Sequence, residues 1–286
     1  MSDRTDLAHR LESRYPRMSK GHKRICEYIT QNFDKAAFMT AHKLGERTQV
    51  SESTVVRFAD SLGYDGYPQL QKAMQEVIRN KLTTVQLIEM SGDIDKSEVL
   101  AKVMKEDMDN IRSTLNETAQ EDFEAVVESL LAARRVYVMG MRSSAPLSQF
   151  LGYYLDFMLT SVRTVSAGIS DIFEQLMHIG EGDVFIGISF PRYSNRTIEG
   201  MAFARSRGAK CIALTDSKAS PLSNEADIVL TAKSAMTSFV DSLVAPFSLA
   251  NALIVAIGIK KKDEIAGSFR ELEAIWDAHN VYAGGK

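Results

Sequence analysis

Apolar residues in the first third of the chain recur at the spacing of amphipathic helices. An early pattern repeats every four residues, at Ile25, Ile29 and Phe33. Ser19 precedes it as the predicted N-cap, because a hydroxyl can accept a hydrogen bond from the free N–H groups at a helix start. Three further helical patterns follow before residue 81. The pattern therefore predicts an all-α domain over residues 1–81.

Two of these helical patterns lie within residues 39–64 and are joined by a tight polar turn. Their predicted interior consists of Leu44, Val50, Val55 and Phe58. The outward face of the second helix then carries Ser53, Thr54 and Arg57, with Ser51 chiefly as its cap. A helix that presents small hydroxyl donors and an arginine can enter a major groove and contact bases and phosphates. We therefore predict a DNA-reading helix-turn-helix whose DNA contacts are Ser51, Ser53, Thr54 and Arg57.

Beyond residue 118, short β-branched runs alternate with amphipathic stretches. The predicted strands are 135–139, 162–166, 183–189, 210–215 and 227–231. Strands separated by helices predict a parallel sheet that is covered on both faces. We therefore expect two domains: the helix-turn-helix domain at 1–81 and a three-layer α/β domain at 118–286. A helical linker over 82–117 is predicted to join them.

The charge of the chain is divided unevenly between these parts. Residues 1–81 carry 14 Lys and Arg against 10 Asp and Glu, a net charge of +4, whereas the remainder carries 20 against 27, a net charge of −7. A mildly basic N-terminal part followed by an acidic remainder is typical of a nucleic-acid-binding domain joined to a domain that does not bind nucleic acid.

Cysteine and histidine usage argues against a metal site. Cys26 and Cys211 lie in apolar patterns far apart, and none of the five histidines has a ligand spacing. With no signal-peptide pattern at the start, we expect a reduced, cytoplasmic protein. The apolar stretch from Ser242 to Ile259 approaches the length of a membrane span, but its polar residues favour a helix buried in a core or a subunit interface. No membrane association is predicted.

Two loops at predicted strand ends carry the candidate chemistry of the α/β domain. The first, at 140–146, offers Ser143 and Ser144 before a helix start; the second, at 189–197, offers Ser189, Arg192 and Ser194. Helix N-termini with hydroxyls and a nearby guanidinium are natural phosphate sites, although each serine alone could simply be a helix cap. No nucleotide-binding glycine fingerprint occurs, so no cofactor is predicted.

The motifs together are specific. The segment Val-Ser-Glu-Ser-Thr-Val-Val-Arg-Phe with its trailing Leu-Gly-Tyr-Asp-Gly-Tyr, followed by an α/β half with two serine-bearing loops, resembles the RpiR family of bacterial transcription regulators. The resemblance implies a helix-turn-helix domain joined to a sugar isomerase (SIS) domain that senses phosphosugars. Ser51 through Phe58 match the family's recognition helix, and Ser143, Ser144 and Ser189 match its phosphosugar loops.

The second loop departs from the family pattern. Many members carry Ser-x-Ser-Gly-x-Thr there, whereas this chain reads Ser-Phe-Pro-Arg-Tyr-Ser. Arg192 and Tyr193 could contact an acidic group and a sugar ring, or could be loop surface. The expected effector is therefore a phosphorylated sugar or sugar acid, and the expected function is regulation of a carbohydrate catabolic operon.

The alternative function is an aldose–ketose phosphosugar isomerase, because fold alone does not determine function. Isomerisation needs a general base, and the available groups are Glu174, Glu199, His178 and His279. Each is more often an exposed helix residue, and a DNA-binding head would be superfluous in such an enzyme, so we expect a non-enzyme. Paired half-sites and the apolar run 239–259 predict a homodimer or homotetramer that binds an operator in double-stranded DNA.

Overall fold

The computed structural model describes residues 3–78, 85, 87–88, 97–236 and 239–283. Two compact units meet along the chain at Ile94 and Asp95. The described part of the first unit is helical, and the second unit holds a parallel β-sheet between helices. The predicted combination of an all-α domain with a three-layer α/β domain is confirmed.

The helices of the first unit are α1 Asp3–Arg14, α2 Lys20–Gln31, α3 Phe33–Ala36, α4 Ala41–Thr48, α5 Glu52–Ser61 and α6 Gly66–Ile78. Ser19 caps α2 by accepting a hydrogen bond from the His22 N–H at 3.3 Å. The first predicted helix ends earlier than its apolar pattern, since Asn32 leaves helical geometry and Phe33 begins α3. Fully buried core residues include Ile25, Ile29, Leu44, Phe58, Leu70 and Met74.

The second unit contains helices α7 to α13 and strands β1 to β5. In chain order they are α7 Val99–Glu117, α8 Gln120–Ala132, β1 Val136–Gly140, α9 Ala145–Asp156, β2 Val162–Val165, α10 Ile172–Gln175, β3 Val184–Ile188, α11 Asn195–Ser206, β4 Lys210–Thr215, β5 Ile228–Thr231, α12 Val244–Lys260 and α13 Lys262–Ala278. Each strand lies within one residue of its predicted bounds.

All five strands are parallel and run in the order β2-β1-β3-β4-β5. Alternate side chains of β1 and β3 enter two separate cores. Val136, Val138 and Ile186 pack under α8, α9 and α12, while Tyr137 and Phe185 pack under α10 and α11. Burial on both faces explains why these strands read as continuous apolar runs.

The segment predicted as a linker, 82–117, lies partly outside the described residues. Its described helix, α7, belongs to the second unit, where it packs against α12. The apolar helix expected from Phe239 starts later, at Val244, because Asp241 and Ser242 interrupt the pattern. The Ser242 hydroxyl accepts a hydrogen bond from the Val244 N–H and donates one to Asp107 on α7.

Among the described helices, none is by itself long and apolar enough to cross a bilayer. The pair α12 and α13 passes that test only when taken together, across an 88° bend.

The close contact between α9 and β2 predicts that a larger residue at Gly152 lowers the stability of the protein. A Cβ at Gly152 would lie 2.1 Å from Thr164 Oγ1, with no other residue among its nearest contacts. Gly152→Ala should therefore destabilise the protein by about 1–3 kcal/mol through overpacking, although alanine is the better helix former. Denaturant unfolding of the full chain measures this.

The matched variants make that test specific. Thr164→Ala should restore most of the lost stability in the Gly152→Ala background, because it removes the clashing hydroxyl. Gly267→Ala on α13 should cost nothing, since no atom lies within 4 Å of the place that its Cβ would occupy. Full stability of Gly152→Ala would contradict the described packing.

Candidate DNA-binding face and ligand cleft

The helix-turn-helix is formed by α4, the turn at 49–51 and α5. Leu44, Val55 and Phe58 are fully buried as predicted, whereas Val50 is half-buried in the turn. Gln49 turns the chain with a left-handed backbone, φ 55°, and the Arg24 guanidinium donates to its carbonyl at 3.3 Å. These contacts fix the angle at which α5 leaves the turn.

The predicted DNA contacts share the outer side of α5. Ser51, Ser53 and Arg57 are exposed and Thr54 is half-exposed. Ser51 has N-cap backbone geometry, but the prediction that its side chain caps the helix is wrong. Its hydroxyl instead lies 3.0 Å from Ser53 Oγ and 2.8 Å from Thr54 Oγ1, so the three hydroxyls form one cluster.

A groove of ≈ 530 Å³ runs beside this cluster. It is lined by Ser19, Gly21, His22, Val50, Ser51, Thr54 and Arg57. The starts of α2 and α5 therefore face the same space, and helix starts carry partial positive charge. Arg57 donates from Nε to the Ser53 carbonyl at 3.2 Å, which orients its guanidinium along α5. Burial and the neighbouring Arg57 lower the pKa of His22, so the imidazole is neutral at pH 7 and Arg57 supplies the positive charge.

The second candidate site lies at the carboxyl ends of β1 and β3. The chain passes from β1 to β2 on one side and then returns to place β3 on the other side of β1. The strand order therefore reverses between β1 and β3, and open parallel sheets bind ligands in the crevice at such a switch point. The two serine-bearing loops leave these two adjacent strands, so the structure brings them together at one edge.

The first loop folds tightly over the end of its own strand. A Cβ at Gly140 would lie 2.6 Å from the Ser144 carbonyl oxygen, so only glycine allows this approach. Ser144 occupies the N-cap position of α9, yet its side chain makes no capping bond. Among the described residues, neither Ser143 nor Ser144 has a side-chain hydrogen-bond partner. Simple capping, the structural alternative for these serines, is not what their hydroxyls do.

The second loop is closed by one of its serines. Ser189 is buried, and its hydroxyl accepts a hydrogen bond from the Ser194 N–H at 3.0 Å. Ser194 holds the N-cap position of α11 but does not use its side chain as a cap. Its half-exposed hydroxyl, at the start of a twelve-residue helix, is therefore left for another acceptor or donor.

Both loops hold an exposed arginine in a left-handed backbone conformation. Arg142 follows β1 with φ 57°, and Arg192 follows β3 with φ 62°. Residues other than glycine adopt this conformation at a cost of order 1–3 kcal/mol, which the surrounding structure must offset. Each of the two loops that flank the switch point therefore carries an arginine.

Sequence reasoning missed three residues at this edge. Arg142 was hidden within the first loop, and Asp216, directly after β4, accepts a hydrogen bond from the Tyr193 hydroxyl at 2.8 Å. Its position after a strand end was the available signal. Thr197 is fully buried in the first turn of α11, and its hydroxyl has no partner within the described residues. The family pattern gave no signal for this position, because its threonine aligns with Ser194.

None of the four groups considered as an isomerase base belongs to the two serine-bearing loops. Glu174 accepts a hydrogen bond from the Asp171 N–H in a capping box, and Glu199 pairs with Arg196 on the surface of α11. His178 and His279 are exposed. Both cysteines are free and buried, and burial raises the pKa of Cys211 to about 12, so its thiol is not a nucleophile at pH 7. No cluster of metal-ligating side chains occurs within the described ranges.

Comparisons with known proteins separate the same two parts, the helical unit and the α/β unit. A family model described as a helix-turn-helix domain of the rpiR family matches residues 5–81, and one described as a SIS domain matches residues 129–256. The sugar isomerase domain of an RpiR transcription factor from Sphaerobacter thermophilus is 32% identical, with a TM-score of 0.60 over 62% of this chain and 99% of that one. The chain belongs to the RpiR family of transcription regulators.

Other RpiR-type relatives align with most of the chain. The regulator HexR of Pseudomonas aeruginosa is 24% identical over 79% of this chain and 78% of its own length. The structure of Vibrio vulnificus NanR complexed with ManNAc-6P has a TM-score of 0.57 and 20% identity, and covers 97% of this chain and 100% of that one. The fold of both units is thus shared with NanR.

Proposed function

We propose that this RpiR-family regulator binds an operator through α5 and that a phosphorylated sugar or sugar acid, bound at the switch point between β1 and β3, controls that binding. The proposal places it in the cytoplasm as a homodimer or homotetramer that controls a carbohydrate catabolic operon. It acts as a sensor and catalyses no reaction. The observation that carries the proposal is the convergence of two loops whose serine hydroxyls are not used as helix caps.

The chemistry of the cleft suits a phosphate. Ser143, Ser144 and Ser194 offer hydroxyls at the starts of α9 and α11, where the helix dipoles favour an anion. Ser189 holds the second loop closed, and Arg192 lies beside it. NanR, which shares this fold, was solved with a phosphosugar, and this supports the ligand class. Arg142 and Arg192 together favour a ligand with a second acidic group.

The isomerase alternative lacks a suitably placed base. Asp216, which directly follows β4, accepts a hydrogen bond from Tyr193. Turnover of an aldose phosphate to a ketose phosphate at an enzymatic rate would overturn the sensor proposal. Asp216 would then join Glu174, Glu199, His178 and His279 as a candidate base.

The DNA-binding part of the proposal is tested at Arg57. Arg57→Ala should weaken binding to the DNA upstream of the chain's own gene by about 1–3 kcal/mol if the guanidinium makes a bidentate base contact. Fluorescence anisotropy at fixed salt measures the affinity. Lys35→Ala, which removes an exposed positive charge from α3 of the same unit, is the control and should cost less. Equal losses for the two variants would remove Arg57 from the base-reading face.

The ligand-binding part is tested at Ser194. Ser194→Asp puts a carboxylate where the phosphate is proposed to bind, and aspartate is a favourable N-cap, so α11 should remain folded. A panel of sugar phosphates and sugar-acid phosphates should raise the Tm of the wild type, because a ligand that binds only the native state stabilises it. The same ligands should no longer raise the Tm of Ser194→Asp.

Ser206→Asp serves as the matched control, since it adds the same charge at the far end of α11. It should keep the full ligand-induced rise in Tm. An undiminished rise in Ser194→Asp would place the phosphate site elsewhere.

A further inference from the structure

Helix α7 is attached to its unit by polar groups and leaves its apolar side chains in solvent. Asn110 and Thr114 are buried, although their neighbours on the helix include larger apolar residues. Amphipathic helices of isolated domains normally do the opposite and bury the apolar face. The inversion indicates that the apolar side of α7 is covered in the functional assembly.

The polar attachment is specific. The Asn110 side chain donates to the Ala235 carbonyl at 3.0 Å and accepts from the Ala235 N–H at 3.1 Å, as a neighbouring strand would. Thr114 accepts a hydrogen bond from the Lys233 N–H at 2.8 Å, and Asp107 accepts one from Ser242 at 2.5 Å. Four hydrogen bonds thus fix the rotation of α7 about its axis.

This rotation aligns five apolar side chains in an exposed stripe. They are Leu100 (75% exposed), Met104 (57%), Met108 (56%), Ile111 (38%) and Leu115 (76%). The steps of three and four residues keep them on one side of the helix over about 22 Å. Contiguous apolar patches of more than a few hundred Å² are rare on monomers and mark interaction sites.

The neighbouring helix adds to this surface. Helix α12 packs against α7 and has hardly any polar side chain, and its outward residues Val244, Val255 and Ile259 are 41%, 51% and 70% exposed. A helix that is apolar on all sides is normally buried. The exposed apolar residues of this surface therefore lie on two neighbouring helices, and a standard interface buries about 800 Å² on each partner.

We propose that the α7 stripe is the contact between two copies of this chain, packed against itself across a two-fold axis with Met108 nearest the axis. The stripe contains no charge, so identical copies match it without burying an unpaired ion. This assignment rests on the proposed oligomer and names its surface.

The position of α7 along the chain favours a second copy over an unrelated partner. Twenty residues lie between Ile78, the end of α6, and Val99, the start of α7. A chain of that length spans at most about 70 Å, which sets the reach of each DNA-binding unit from an axis at α7. Half-sites one helical turn apart require recognition helices about 34–36 Å apart, which is within this reach.

The test uses the full-length protein in analytical ultracentrifugation. Met108→Lys should sediment at half the mass of the wild type, because two ammonium groups would meet at the axis. Asn116→Lys adds the same charge to the exposed polar side of α7 and should keep the wild-type mass. Both substitutions are at exposed positions, so unchanged circular dichroism should show that each variant is folded.

Disulfide trapping gives a second readout. Met108→Cys should form a cross-linked dimer under mild oxidation, whereas Asn116→Cys should stay uncross-linked; the native Cys26 and Cys211 are buried. The assignment would be overturned if Met108→Lys kept the wild-type mass and Met108→Cys formed no cross-linked dimer. It would also be overturned if Met108→Lys stayed oligomeric but became more sensitive to proteolysis, because the stripe would then be covered within one chain. If sugar phosphates still raise the Tm of monomeric Met108→Lys, ligand binding does not depend on the α7 contact. The two proposals can then fail independently.

Discussion

The placement of β1 between β2 and β3 is the constraint on which the second unit depends. Because β1 pairs in parallel with both neighbours, the chain must reverse its direction of travel across the sheet. The loops that follow β1 and β3 then leave adjacent strand ends and turn toward opposite faces of the sheet, into α9 and α11. A crevice with two helix starts is the geometric result.

The polar residues of this crevice follow from the same arrangement. A buried strand cannot leave its last peptide groups unsatisfied, so each loop closes with local hydrogen bonds. The second loop uses Ser189 for this purpose, and the first uses Ser148 on α9, whose hydroxyl donates to the Gly140 carbonyl at the end of β1 at 3.4 Å. Ser143, Ser144 and Ser194 are not needed for closure. Their hydroxyls are the ones that a ligand can bind at little cost to the fold.

Periodicity in the sequence was sufficient to predict both units and all five strands. The β-branched runs are buried on both faces, so their length and composition carry a strong signal. The position of the helix-turn-helix was also predictable, because Leu44, Val55 and Phe58 form a repeating interior. Side-chain hydrogen bonds were not predictable in the same way: Ser51 stands at a cap position, yet its hydroxyl bonds to Ser53 and Thr54 instead.

Features that depend on contacts between distant parts of the chain could not be predicted from the sequence. The helical, polar pattern of residues 82–117 predicts a linker, whereas the polar residues of α7 attach this helix to the second unit. Their partners, Lys233, Ala235 and Ser242, are more than a hundred residues away. Asp216 and Arg142 were missed for the same reason, since their significance arises only when three strand ends meet.

We propose that the crevice between β1 and β3 and the DNA-binding face are energetically linked. A ligand alters DNA binding only if it has different affinities for two arrangements of the protein. The most direct measurement is the Kd for upstream DNA, by fluorescence anisotropy at fixed salt, with and without the sugar phosphate that raises the Tm. If the two sites are linked, the ligand should change the Kd of the wild type several-fold. An unchanged Kd at a saturating concentration of that ligand would contradict it.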